Sequence, residues 1–311
     1  MSEPRAIDAE PRHSGSPLSA GLREQLAGVR GLVLDLDGVL VMRDALLPGA
    51  VEALAALDTA RIPYVIGTNA SLVSRATLAR ELARAGLAVP AERIVSAAST
   101  AAALARRRYG TDALYVMGSP DALTEFAGLR LLSHVEAADP GARAAAVIVG
   151  DAGEEFTPRN IQSAFRLLRG GAGFVAMHKN RWWITPAGVL LDSGAYVAAL
   201  EYATERRALV TGKPSRAFFG EAVRILAQLG GGETSGGQGS SSRLSPAEVA
   251  MVGDDLWNDI CGAQKAGLRG VFVRSGKHGD AELARAAGER GGRAPDAIAP
   301  SIADVVAALA G

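Results

Sequence analysis

The apolar run Leu32-Val33-Leu34 leads straight into Asp35-Leu36-Asp37-Gly38. A run this short and this apolar reads as a strand buried on both faces. It ends in two carboxylates two residues apart, and Gly38 turns the chain directly after them. Carboxylates are rarely buried unless they are paired or bound to a metal. An interior strand that carries two of them to its end therefore points to a divalent cation and a phosphate. One Asp would then serve as nucleophile and the other as proton donor. The plainer reading is a polar turn, since Asp and Gly are common turn residues.

The rest of the chain decides between these readings. Apolar strands alternate with helical runs almost throughout, the pattern of an α/β architecture with a parallel sheet. Tyr64 to Thr68, Ile94 to Ser96, Leu114 to Met117, Ala146 to Val149 and Phe174 to Met177 read as strands. Ala208 to Thr211, Val249 to Val252 and Val271 to Val273 continue the series. Ser119-Pro120 and Thr157-Pro158 are helix starts, with a capping hydroxyl and proline at the first helical position. The segment 230–242 is Gly/Ser-rich and is expected to be a flexible surface loop. Residues 1–27 lack an apolar core segment and are expected to form a disordered arm.

Composition removes several function classes. The chain has 311 residues, enough for two domains. Its 33 basic and 33 acidic residues balance, which argues against a general footprint for nucleic acid or an anionic membrane. A single cysteine, Cys261, allows no internal disulfide and reads as a small buried apolar residue. No run is apolar enough to span a bilayer and no secretory signal is visible, so a cytoplasmic protein is expected.

Four strand ends carry polar clusters: Asp35 and Asp37; Thr68 and Asn69; Lys213; and Asp254, Asp255 and Asp259. In a parallel sheet such ends lie along one edge, where ligands bind. Each cluster has a bland explanation by itself, a turn, a surface lysine or a helix face. Their conjunction in this order does not.

These clusters resemble the motifs of the haloacid dehalogenase (HAD) superfamily. Asp35-Leu36-Asp37-Gly38-Val39-Leu40 is similar to its first motif and Gly67-Thr68-Asn69 to its second. Gly212-Lys213-Pro214 is similar to the third, and Gly253-Asp254-Asp255-Leu256-Trp257-Asn258-Asp259 to the fourth. The resemblance runs from about Gly31 to the C-terminus. It implies a Rossmann-like HAD core with a parallel sheet and an inserted α/β C2-type cap domain. The core would span 28–102 and 206–311, and the cap 103–205.

The resemblance also implies a Mg²⁺-dependent phosphatase acting through an aspartyl-phosphate. Asp35 would attack phosphorus and hold the metal, together with Asp254 and the backbone carbonyl of Asp37. The Asp37 side chain would be the general acid and base. A dehalogenase needs no such proton donor, so Asp37 favours phosphoryl transfer. Thr68, the Asn69 amide and Lys213 would bind the phosphoryl group. Asp259 would orient a metal water or Lys213, and Asp255 would either touch the metal or stand behind it. On the cap, His178, Lys179, Asn180, Arg181, Trp182 and Trp183 could reach the leaving group. The two tryptophans fit equally a cap core or a dimer interface. Where relatives read Arg-Tyr-Tyr, this chain has Arg181-Trp182-Trp183. The implied substrate is a small phosphorylated compound, whether ester, phosphoamide or pyrophosphate, and the implied assembly a homodimer through the cap. A non-catalytic binding protein of the same fold, or a phosphotransferase or mutase, stays open.

Overall fold

The computed structural model describes residues 17–43, 45–185, 188–230, 244–288 and 294–310. In chain order its principal strands are β1 (Gly31–Asp35), β2 (Tyr64–Thr68), β3 (Ile94–Ser96), β4 (Leu114–Met117), β5 (Ala146–Val149) and β6 (Gly173–Ala176). They continue with β7 (Trp182–Thr185), β8 (Gly188–Leu191), β9 (Leu209–Val210), β10 (Val249–Gly253), β11 (Arg269–Val273) and β12 (Ala297–Ala299).

Six of these strands form one sheet in the order β12-β11-β10-β1-β2-β3, with every pairing parallel. Strands alternate sides, so Leu32 and Leu34 of β1 enter one core and Val33 the other. Leu54, Leu57 and Val305 cover the first face, and Phe218, Phe219 and Leu226 the second. Both faces are therefore covered by helices, which is why β1, β2 and β10 are buried along their whole length.

Between β3 and the helix Arg216–Gly230 the chain builds a second, four-stranded parallel sheet, β9-β6-β5-β4. This α/β insertion matches a cap domain. Helices Pro158–Arg169 and Ser193–Thr204 cover one face, through Leu167, Leu168, Val197 and Leu200. The other face packs on Ala98, Ala101, Ala102 and Ala105 of the helix Ala97–Tyr109. That helix leaves the core sheet yet lies on the cap sheet, and it runs unbroken through residue 103. An antiparallel hairpin, β7–β8, projects from the cap.

Three sequence expectations need correction. The arm 1–27 was expected to be disordered, but Pro17–Gln25 is a helix. Leu22 and Leu26, one helical turn apart, are buried in the main core. Residues 1–16 and the segment 231–243 lie outside the described residues. The strand that delivers Lys213 was expected in the core sheet. Leu209 and Val210 instead pair with Val175 and Ala176 of the cap and form an edge strand of its sheet. Finally, β7, β8 and β12 were not anticipated. Among the described residues no helix is long and apolar enough to cross a membrane.

Candidate active site

The site begins at the carboxyl end of β1. Asp35 sits beside Gly67 of β2 in the sheet register and is buried. Its Oδ1 accepts from the Leu36 amide at 2.7 Å and from Lys213 Nζ at 2.6 Å. Thr68 ends β2, and its Oγ1 accepts from the Ala70 amide. Asn69 fixes the lysine from behind. Its Oδ1 accepts from the Lys213 amide at 2.7 Å, while its Nδ2 donates to the Lys213 carbonyl at 3.1 Å. The strand ends of two different sheets therefore meet through one side chain. Asp37, exposed to solvent, stands two residues beyond Asp35 in a short turn closed by the Gly38 amide on the Val41 carbonyl.

β10 delivers the second acidic group. Asp254 Oδ2 accepts from the Lys277 amide at 2.7 Å. Asp255 caps the widened π-type turn Leu256–Cys261, accepting from the amides of Trp257 and Asn258. Its other oxygen takes the Asn258 side chain at 2.7 Å and Lys277 Nζ at 2.8 Å. With both oxygens so occupied, Asp255 organises the loop. Asp259 is fully buried. Its Oδ2 accepts from the Asp255 amide, and its Oδ1 lies 2.8 Å from Lys213 Nζ. Gly38 and Gly276 flank Asp254 so closely that a Cβ on either would overlap its carboxylate. Gly38 also has φ +80°, so a side chain there would be strained in any case.

Asp35, Asp254 and Asp259 each offer a carboxylate oxygen, and these atoms lie within 4.8 Å of one another. Were all three carboxylates ionised, Lys213 as counter-charge would leave two negative charges in excess, which burial opposes. Burial raises the pKa of Asp35, against the pull of Lys213. It raises Asp254 as well. Burial and then the neighbouring Asp35 push Asp259 up to about 8. Burial opposes the charge on Lys213, but Asp259 and Asp35 outweigh it and hold the ammonium protonated. An all-oxygen donor set carrying this excess fits a hard divalent cation.

The cap residues separate into different environments. His178 is buried and bonded to Ser71. Lys179 is tied to Glu201 at 2.6 Å. Asn180 donates its amide to His178 Nδ1. Arg181 and Trp182 are exposed on the hairpin, so Trp182 does not pack the cap core. The Trp183 side chain lies outside the described residues. Cys261 is buried, and His134 begins a short helix and bonds the Tyr115 hydroxyl.

Sequence reasoning missed Lys277 and Ser71. Lys277 follows β11 in Ser275-Gly276-Lys277-His278, the same format of apolar strand and polar end as the other clusters. Ser71 carries no comparable signal, because its partners lie more than 70 residues away.

Two family models match the chain: "Haloacid dehalogenase-like hydrolase" over residues 32–131 and "HAD-hydrolase-like" over 210–305. The chain is 34% identical over 250 residues to haloacid dehalogenase-like hydrolase domain-containing protein 2 of Bos taurus, covering 80% of this chain and 86% of the relative. It is 32% identical over 260 residues to the human phospholysine phosphohistidine inorganic pyrophosphate phosphatase, covering 82% and 86%. Among solved structures it resembles a p-nitrophenyl phosphatase from Archaeoglobus fulgidus, with TM-score 0.76, 25% identity and coverage of 89% and 98%. It also resembles a glycerol phosphate phosphatase from Mycobacterium tuberculosis in complex with magnesium, with TM-score 0.74, 26% identity and coverage of 90% and 77%.

Proposed function

Given that the chain belongs to the haloacid dehalogenase-like hydrolases, we propose that it hydrolyses a small phosphorylated substrate through an aspartyl-phosphate on Asp35. The observation that carries this reading is the buried set of Asp35, Lys213, Asp254 and Asp259 at the strand ends. In the first step an Asp35 carboxylate oxygen attacks phosphorus, and the bond to the leaving oxygen or nitrogen breaks. Asp37 gives its proton to that leaving atom. In the second step Asp37 takes a proton from water, and the water oxygen attacks the same phosphorus. The bond to Asp35 breaks and phosphate leaves. The exposure of Asp37 suits a group that must exchange protons with solvent and substrate in turn.

Lys213 holds charge opposite Asp35 and the phosphoryl oxygens, with Thr68 and the Asn69 amide as further donors. Asp35, Asp254 and the Asp37 carbonyl would hold Mg²⁺, with Asp259 behind them. Bound there, the cation supplies positive charge that lets an anionic nucleophile approach an anionic substrate. A phosphate ester, a phosphoamide and pyrophosphate all present the transferable group this arrangement takes. The names of the phosphatases above favour that range of substrates. We place the reaction in the cytoplasm, and the cap hairpin at a homodimer interface. Trp182, Val189, Leu190 and Leu191 on that hairpin are exposed and apolar, which supports the last assignment.

The test is hydrolysis of p-nitrophenyl phosphate with Mg²⁺, with EDTA, and by Asp35→Asn. Activity that requires the cation and falls by roughly 10³-fold or more in the variant supports the mechanism. Activity that survives Asp35→Asn would sink the nucleophile assignment.

A further inference from the structure

The phosphate-binding loop of the core does not end at Asn69. It continues into the ends of the cap strands. Ser71 is almost fully buried. Its Oγ accepts from the Asp151 amide, just past β5, at 3.2 Å. The same oxygen lies 2.7 Å from His178 Nε2, two residues past β6. One residue on, the Leu72 carbonyl accepts from the Ser119 hydroxyl, just past β4. Two core residues thus touch the carboxyl ends of three cap strands.

The hydrogen bonds assign the imidazole's proton. Asn180 donates its amide to His178 Nδ1 at 3.3 Å, so Nδ1 is the acceptor and carries no proton. The proton is on Nε2, and it is donated to Ser71. Asp192 Oδ1 stands 3.7 Å from Nε2, and Ser193 Oγ lies 3.4 Å from both ring nitrogens. His178 is therefore spent on a buried bond across the seam and does not extend into the crevice toward a leaving group.

We propose that His178 is a positioning residue that acts through Ser71, fixing the loop from Thr68 to Leu72 against the cap so that Thr68 and the Asn69 amide meet the phosphoryl group. The kinetic part of this inference rests on the phosphatase reading above. The physical reason is that Ser71 lies three residues beyond Thr68. A loop this short, tied at its far end by three hydrogen bonds, keeps little freedom at its near end. Burial holds the imidazole neutral, against the pull of Asp192 and Asp151, the two carboxylates that face it. Protonation would set a second donor on Nδ1 against the Asn180 amide, so acid conditions loosen the tie.

The test uses the full chain as wild type, His178→Ala, His178→Gln and Ser71→Ala. Hydrogen exchange over residues 67–72 reads the positioning directly, and steady-state kinetics on p-nitrophenyl phosphate read its consequence. In His178→Ala and Ser71→Ala, exchange in this segment accelerates about tenfold or more while the core strands stay protected. KM rises about tenfold and kcat stays within about twofold, because ground-state and transition-state phosphoryl contacts are lost together. His178→Gln, whose amide can donate to Ser71, restores most of the KM and shows a smaller rise in KM toward acid pH than the wild type. Unchanged exchange at 67–72 in both alanine variants overturns the proposal, as does acceleration spread evenly over the core. A wild type with no phosphoryl hydrolysis would count against the phosphatase reading alone, and the exchange result would still decide the positioning.

Discussion

Lys213, carried at the end of a cap strand, places Nζ 2.6 Å from Oδ1 of Asp35 at the end of a core strand. Both side chains are buried, and the same ammonium reaches Asp259. Removing it leaves Asp35 and Asp259 facing each other in the interior with no ammonium between them. Lys213→Met is expected to lose about 3–5 kcal/mol of stability at neutral pH in metal-free buffer. Urea denaturation measures this, and a variant as stable as wild type would show that the lysine is not what compensates these acids.

Asp254 should behave in the opposite way when no metal is present. Burial raises its pKa, so keeping it charged costs stability, and the cost grows as pH rises through that raised value. Asp254→Asn is expected to melt higher than wild type in EDTA. Added Mg²⁺ should raise the wild-type midpoint, by about 2.7 kcal/mol of stability at 100 times its Kd. The variant should respond little. Equal Mg²⁺ responses in both proteins would remove Asp254 from the metal site.

Glu201 supplies a pH dependence away from the site. Its carboxylate takes Lys179 Nζ at 2.6 Å, the Ala208 amide at 2.9 Å and Arg207 at 3.2 Å. Burial pushes its pKa up, but these three partners outweigh burial, and the net shift is downward from 4.5. A depressed folded pKa stabilises the protein above the unfolded value, and the gain is lost as pH falls through the folded one. Glu201→Gln should therefore cost about 2 kcal/mol near pH 7. The gap to wild type should close below the ordinary glutamate range. A gap that stays constant to acid pH would mean the charge contributes nothing.

The cap hairpin predicts an assembly. Val189 and Leu191 are each 67% exposed, and Trp182 is 56% exposed. Sedimentation equilibrium should find a dimer for wild type, and a monomer for the double variant Val189→Lys, Leu190→Lys. A wild type that is monomeric at high concentration would leave the hairpin without that role.

The core site could be read from the chain because each part is local. Leu32 to Leu34 and Val249 to Val252 are apolar runs that end in acids, and a buried strand followed by a charged end keeps its meaning whatever surrounds it. Lys277 had the same format and was legible in principle. The helix Pro17–Gln25 was harder. Two leucines one turn apart are a weak signal until a core is there to receive them.

The sequence by itself determined the strand and helix alternation and the chemistry at the strand ends, because burial period and side-chain type are properties of short segments. Tertiary structure alone decided which sheet Leu209 and Val210 join, that Lys213 stands between Asp35 and Asp259, and that His178 closes on Ser71. Those outcomes depend on which backbone edges remain unpaired and on which buried polar groups meet across 46 to 178 residues of chain. No local pattern encodes that choice, since each buried donor is satisfied only by the acceptor that the completed fold brings to it.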